Sequence, residues 1–431
     1  MEDISSDKTA TALAEQIDVT LKKFYVMPDA LVAQTYDGAN VMAGSIGGTQ
    51  AIIKQKYKNA VFIHCRAHVL NLVLLHSCLN YPNGRKFFNT LSSLASFFTQ
   101  RPKRDFELQK FIQVKIPNVC KVKWAYTSRM VNVIENNYAD ITSCLGEMYL
   151  GENSWDGETS SMARGLHGFM LDFSTVFYLK VFASIFVFTD ILYQILQTKA
   201  LNFIDCKRSI NETKTKIVEL RTEKTFKFLF EKCVEITGCT GNKQQEKYAK
   251  IYFDLIDRIY SELDTRFADL CGLQYVALLD STKFKRYVES FPKENSDDFC
   301  RRFNEIDKNK LINELKVLYA KSECQEKTLQ EIVRWIVDEE LADVFSEVTQ
   351  LAKIVLTLPS TTASVERTFS AMRRIKNYLR STMGEERLQG LMLMAVEKEI
   401  LHKLMQCNSF YDNVIDCFAT RSNRRIPLMF K

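Results

Sequence analysis

Four groups of side chains in this sequence could do chemistry. Asp37-Gly38 closes a short β-rich run over 31–36. Asp followed by Gly suits a turn, because the two residues supply the backbone conformations a turn needs. The same Asp could also be a carboxylate held at a strand end, where open α/β sheets place their ligands. Glu366 follows Pro359 and the cluster Ser360, Thr361, Thr362, a pattern that starts a helix. A carboxylate in those first turns suits the helix dipole. Cys65-x-x-His68 has His64 and His76 near it. A structural zinc site takes four ligands, usually as two spaced pairs, and no second pair follows here. His68 is therefore read as a hydrogen-bonding side chain in the core or beside an acidic site, with Asn71 in a similar part. The fourth group is basic. Arg101, Lys103, Arg104, Lys110, Lys115, Lys121, Lys123 and Arg129 are opposed only by Asp105 and Glu107. Such a run is either a solvated helix face or a surface that tracks phosphates.

The elements that must position these groups can be read from periodicity. Ser5, Ser6 and Asp7 offer N-caps for an amphipathic helix over 8–23, with Leu13, Ile17, Leu21 and Phe24 at helical spacing. Pro28 breaks it. A buried strand over 31–36 precedes Asp37. Residues 61–65 form the next strand, and 66–78 a helix carrying Leu70, Leu72, Val73 and Leu74. From about 145 to 345 apolar residues recur at helical spacing, for example Phe173, Phe177, Val181 and Ile185. Residues 239–242 and 292–298 read as loops. Phe226, Phe228, Phe230 and Phe253 read as core. Near the C-terminus Val365, Phe369, Met372 and Ile375 share one helical face, the one that would enter a core. Glu366, Ser370 and Arg373 share another.

Composition bounds the answer. The 431 residues are 46% hydrophobic, which is ample for two or three domains. Glycine and proline are scarce, favouring a largely helical globular chain over a sandwich or a disordered one. The net charge of +6 is only mildly basic and selects no partner by itself. The 12 cysteines are scattered without a CxxC pair, as expected for reduced thiols in an intracellular protein. The longest apolar run, 181–189, is too short to span a bilayer, so no membrane partner is expected. No secretory or mitochondrial signal and no short basic import cluster stands out. No glycine-rich phosphate loop is present, and no small-molecule cofactor is expected.

Two stretches carry a resemblance. Ser360-x-x-x-Ser364-Val365-Glu366-Arg367-Thr368-Phe369-Ser370, running on to Leu393, resembles the C-terminal dimerisation region of hAT-family transposases and of host proteins derived from them. The stretch from Tyr36-Asp37-Gly38-Ala39-Asn40 to His64-Cys65-Arg66-Ala67-His68-Val69-Leu70-Asn71 is similar to the hAT core segment that holds the family's second acidic ligand. The resemblance assigns that ligand to Asp37 and the third to Glu366, and makes Cys65, His68 and Asn71 a hallmark near the site. Lys123-Trp124 with Thr127-Ser128-Arg129 resembles the family's R-W-x-S motif. Lys at 123 keeps the charge but loses the bidentate fork.

The implied fold is α/β, mostly α: a truncated RNase H-like core interrupted by a large all-helical insertion, then a C-terminal helical dimerisation region. The implied domains are a partial core over 1–144, a helical insertion over 145–345, and the rest of the core with the dimerisation region over 346–431. Nucleic-acid contacts are expected from Lys123, Trp124, Arg129, Arg367 and Arg373. Dimer contacts are expected from Phe369, Leu388, Leu391, Met392 and Met394. The family's first acidic ligand lies on a strand before the helix matching 8–23, and this sequence has no such strand. Two-metal phosphoryl transfer clamps its oxygens between ions about 3.5–4 Å apart, held by carboxylates. With Asp37 and Glu366 alone, one Mg²⁺ or Mn²⁺ would bind weakly and strand cleavage is not expected. The reading is a transposase-derived, nuclear, homodimeric protein without catalysis of its own, with DNA as a candidate partner. Its rivals are an active metal-dependent transposase represented by an incomplete chain, and a helical interaction scaffold with no nucleic-acid role.

Overall fold

The computed structural model describes residues 7–79, 81–117, 124–151, 155–198, 201–239, 242–268, 272–377, 380 and 382–420. The chain divides into two compact units, residues 9–362 and a second made of the N-terminal residues to Lys8 with 363–431. It is mostly helical. The strands among the described residues are β1 (Ala33–Tyr36) and β2 (Val61–His64). They pair in parallel, Ala33 opposite Val61 and Tyr36 opposite His64. A parallel pair needs a crossover, supplied here by the helices Asn40–Ala43 and Thr49–Lys56.

The first helix is Ala10–Lys23, and its N-cap is Thr9, whose hydroxyl accepts from the Ala12 amide at 3.3 Å. This corrects the expected caps: Ser5 and Ser6 lie outside the described residues, and Asp7 precedes the cap. Ala14, Ile17 and Leu21 pack on Ile53, Tyr57 and Ala60, while Phe24 stays exposed beyond the helix end. Asp18 joins Lys22, Lys56 and the Tyr57 hydroxyl. The hydrogen bond from Lys22 is the largest influence holding its carboxyl below the ordinary range.

The largest core in the 9–362 unit surrounds the helix Phe173–Leu196. Val176, Phe177, Val181, Phe182, Ile185 and Phe186 on it are all fully buried. By length and composition this helix could cross a membrane. A helix apolar all round is equally what the centre of a large core requires, and here its partners are the helices Pro82–Thr99, Trp124–Asn136, Phe203–Glu219 and Glu223–Thr237. A polar tie joins the helices Phe173–Leu196 and Trp124–Asn136. Asp190 accepts from the Ser128 hydroxyl and, at 3.3 Å, from Asn132. Burial raises its carboxyl above the ordinary range, against the opposing pull of those two donors.

The second core gathers Leu311, Leu315, Leu318, Ile332, Val348 and Leu351 with Ile63 of β2. Two local expectations fail here and nearby. Residues 292–298, read as a loop, mostly belong to the helix Lys293–Arg302, with Pro292 at its N-cap. Proline before a helix costs no internal hydrogen bond, and the burial of Phe299 and Ser296 holds the segment down. Phe228 is exposed although Phe226 and Phe230 are buried. At about 100° per residue a side chain two positions along points to the opposite side.

The second unit holds the helices Ala363–Ile375, Glu385–Val396, Lys398–Met405 and Ser409–Ala419. Its core is small: Ala371, Leu388 and Met392, with Met372, Ile375, Met383, Ala395 and Val396 against them.

Candidate functional site

Two segments meet at the C-terminal ends of the parallel strands. β1 runs directly into Asp37, and β2 runs directly into Cys65 and the helix Arg66–Leu79. The Cys65 amide donates to the Tyr36 carbonyl at 3.1 Å, extending the ladder by one bond. Asp37 is exposed, and its Oδ1 accepts from the Ala39 amide at 3.2 Å. That is the turn geometry an Asp-Gly pair favours. Gly38 is required by close approach: a Cβ there would lie 2.7 Å from His68 Nε2. The strand end and the first turn of the helix therefore bring Asp37 and His68 to one corner. Asn71, one turn further along, is half-buried.

Cys65 is buried and engaged. Its Sγ accepts from the Thr362 amide at 3.3 Å and hydroxyl at 3.1 Å, and the Arg66 amide donates to the Ser360 carbonyl at 3.1 Å. The start of the Cys65–His68 motif is thus tied to the Pro359–Thr362 segment, nearly 300 residues away. Among the described residues no group of three or more His, Cys, Asp or Glu side chains is placed to hold a metal ion. A lone carboxylate already in a turn, beside an imidazole, does not fit a two-metal centre.

Glu366 belongs to the second unit, in the first turns of Ala363–Ile375. Arg367 donates to the Ser364 hydroxyl at 3.0 Å, and Arg373 is exposed. The helical face expected to enter a core does so only in its second half. Met372 and Ile375 pack on the small core, whereas Val365 and Phe369 are 54% and 59% exposed. Of the other side chains assigned to a dimer contact, Leu388 and Met392 are buried within the unit, Leu391 is half-buried, and Met394 is exposed together with Leu393.

The basic run is divided. Lys121 and Lys123 lie outside the described residues, and Trp124 opens the helix Trp124–Asn136. Arg104 is buried, stacked 4.4 Å from the Phe97 ring and donating to the Thr159 hydroxyl at 2.7 Å. Lys103 lies 4.4 Å over Trp155, Lys110 pairs with Glu107, and Lys115 with Asp105. Arg101 and Arg129 are exposed. Beside Arg129, Ser128 is fully buried and serves the Asp190 tie.

One concave feature was not visible as a motif. A cavity of about 190 Å³ lies between the start of Arg66–Leu79, the helix Phe203–Glu219 and the end of Asn242–Phe267. Arg66, Lys207 and Lys214 line it. The signal available in the sequence was the spacing of Phe203, Cys206, Lys207, Ile210, Asn211 and Lys214, one continuous helical face. Burial pushes the Cys206 thiol up to about 12, which leaves it without nucleophilic character at neutral pH.

Residues 310–400 match the hAT family C-terminal dimerisation region. That stretch is what the chain shares with hAT-family, transposase-derived proteins. A human protein, the 52 kDa repressor of the inhibitor of the protein kinase, is 21% identical over 407 residues, covering 85% of this chain. The chain spans about half, 53%, of that relative's length.

Proposed function

We propose that this protein is a transposase-derived dimerisation protein, a homodimer that self-associates through its C-terminal unit. The observation that carries the reading is the exposure of Val365 and Phe369 on a helix inside the matched region. Large apolar side chains left in water on one helical face are what a subunit contact would bury. Leu393 and Met394, exposed on the neighbouring helix Glu385–Val396, extend the same material. Leu388 and Met392 serve a different part: they hold the two helices together so that the exposed side chains are presented. The test is self-association of the full chain with and without charged substitutions at Phe369 and Leu393.

The parallel pair β1–β2 with Asp37 at its C-terminal end supports an RNase H-like core over 1–144, interrupted by the helical insertion 145–345 and resumed over 346–431. Asp37 and Glu366 are each proposed as a remnant acidic ligand, an Mg²⁺ or Mn²⁺ contact at either being weak and supporting no strand cleavage. Arg101 and Arg129 on one unit, and Arg367 and Arg373 on the other, are proposed as contacts to DNA phosphates in the nucleus, and the resemblance of the Lys123-Trp124 motif adds those two residues to the proposal. Phosphate contacts release counterions, so affinity for duplex DNA should fall steeply between about 50 and 200 mM salt. Fluorescence anisotropy at the two salt concentrations checks this. No binding at the lower one would favour a purely protein-binding scaffold.

A further inference from the structure

The helices Lys398–Met405 and Ser409–Ala419 of the C-terminal unit bury none of their side chains. Ile400, Leu404, Met405, Tyr411, Val414 and Phe418 are all exposed. Ile400 and Leu404 stand at i and i+4, and Tyr411, Val414 and Phe418 at i, i+3 and i+7, so each helix presents one apolar face. Helices this short are marginal in water by themselves, and most helical stability in proteins comes from packing an apolar face. These two faces need a surface that the described residues do not supply.

The apolar material is continuous with the matched region, which ends at residue 400, inside the first of these helices. The Glu397 amide donates to the Leu393 carbonyl at 2.9 Å, and the Leu401 amide to the Glu397 carbonyl at 3.0 Å. The chain thus keeps helical turns across the junction, and the exposed Leu393, Ile400 and Leu404 follow one another at helical spacing. The charges are divided between the two helices. Lys398, His402 and Lys403 stand against one Glu399 on the first, and Asp412 and Asp416 are the only charged side chains on the second. Lys398, Lys403, Asp412 and Asp416 form no ion pair among the described residues. A two-fold axis sets a surface patch against the same patch of a second copy, residue i on j and j on i. A patch with a basic half and an acidic half is complementary to itself under that operation.

We propose that Lys398–Met405 and Ser409–Ala419 pack on the same two helices of a second copy about a two-fold axis, the first helix of each copy against the second helix of the other. Ile400, Leu404, Val414 and Phe418 form the apolar centre, and Lys398 and Lys403 face the partner's Asp412 and Asp416. This contact rests on the self-association reading and carries it past residue 400, where the matched region ends.

Charge reversal in the full chain tests it. Lys398→Glu with Lys403→Glu makes both helices acidic, and Asp412→Lys with Asp416→Lys makes both basic. Each variant alone sets like charges opposite one another, and sedimentation equilibrium should show its dimer dissociation constant raised about tenfold or more over wild type. Mixed in equal amounts, the two variants should pair with each other as tightly as wild type pairs with itself. All four positions are exposed, so the melting of the 9–362 unit should not move, which checks folding. A dimeric wild type whose charge variants dimerise equally well alone, or a mixture no tighter than its parts, would overturn the contact. Phe369 and Leu393 would then remain the dimer face, and a different protein would be the cover of these two helices. A wild-type chain that stays single would overturn the self-association reading itself, and this contact with it.

Discussion

The helix Phe173–Leu196 and the helix Ala363–Ile375 are both built on repeating apolar side chains, and they treat them in opposite ways. On the first, Phe177, Phe182 and Phe186 are wholly buried among helices of the same unit. On the second, Val365 and Phe369 remain in water, and a core of three buried residues holds the unit together. Periodicity is alike in the two, so periodicity cannot say what a face packs against. The 9–362 unit buries the rings of its central helix itself. The C-terminal unit leaves part of its apolar surface exposed, and it holds the helices Ala363–Ile375 and Glu385–Val396 of the matched region, whose first part, 310–362, belongs to the 9–362 unit.

The largest effect should come from damaging the self-sufficient core. Phe182→Ala removes a fully buried ring and should cost about 3–5 kcal/mol in urea unfolding. A loss below about 1 kcal/mol would mean that the core rearranges around the gap. The next effect separates the two regions. Phe369→Asp with Leu393→Asp should weaken self-association by about 2 kcal/mol or more. It should leave the melting of the 9–362 unit nearly unchanged, since exposed positions outside special features shift stability by about 0.5 kcal/mol. A large drop in that melting would make these side chains structural.

A smaller effect probes a half-buried carboxylate beside the large core, Asp190. Burial raises the Asp190 pKa, so the folded chain keeps this proton to a higher pH than the unfolded chain does. The ionised form therefore weakens the fold, and stability is lost as pH rises from the unfolded value through the folded one. Asp190→Asn retains an acceptor for the Ser128 hydroxyl and removes the charge. It should be more stable than wild type at neutral pH, by less than Phe182→Ala loses, and the advantage should shrink as pH falls. An advantage constant with pH would show that the charge is not its cause. The smallest effect is expected at Asp37→Asn, where the amide oxygen can still accept from the Ala39 amide. Millimolar Mg²⁺ should change the melting temperature little in either wild type or variant. A large rise in wild type that the variant lacks would reveal a competent metal site.

How much of this was legible in the sequence follows the range of the interactions. The strand before Asp37, the next strand and the helix after it are short-range structures, and they emerge close to where spacing puts them. The Asp-Gly turn was readable too, because its hydrogen bond closes within two residues. The contact of Cys65 with Thr362 was not, since nothing local to either residue signals the other. The basic run failed as a single surface for a similar reason. Whether Arg104 faces phosphate or the Phe97 ring depends on Thr159, more than fifty residues later. The Arg66 cavity needs three helices to exist at all, so its lysines look like ordinary solvated charges in the sequence.

Sedimentation equilibrium of the full chain tests the central claim most directly. At tens of micromolar the homodimer should show a mass of twice 49.9 kDa, returning to a single chain in the Phe369→Asp, Leu393→Asp double variant with its melting of the 9–362 unit preserved. A wild-type chain that stays at 49.9 kDa, or a double variant that remains a dimer, would contradict it.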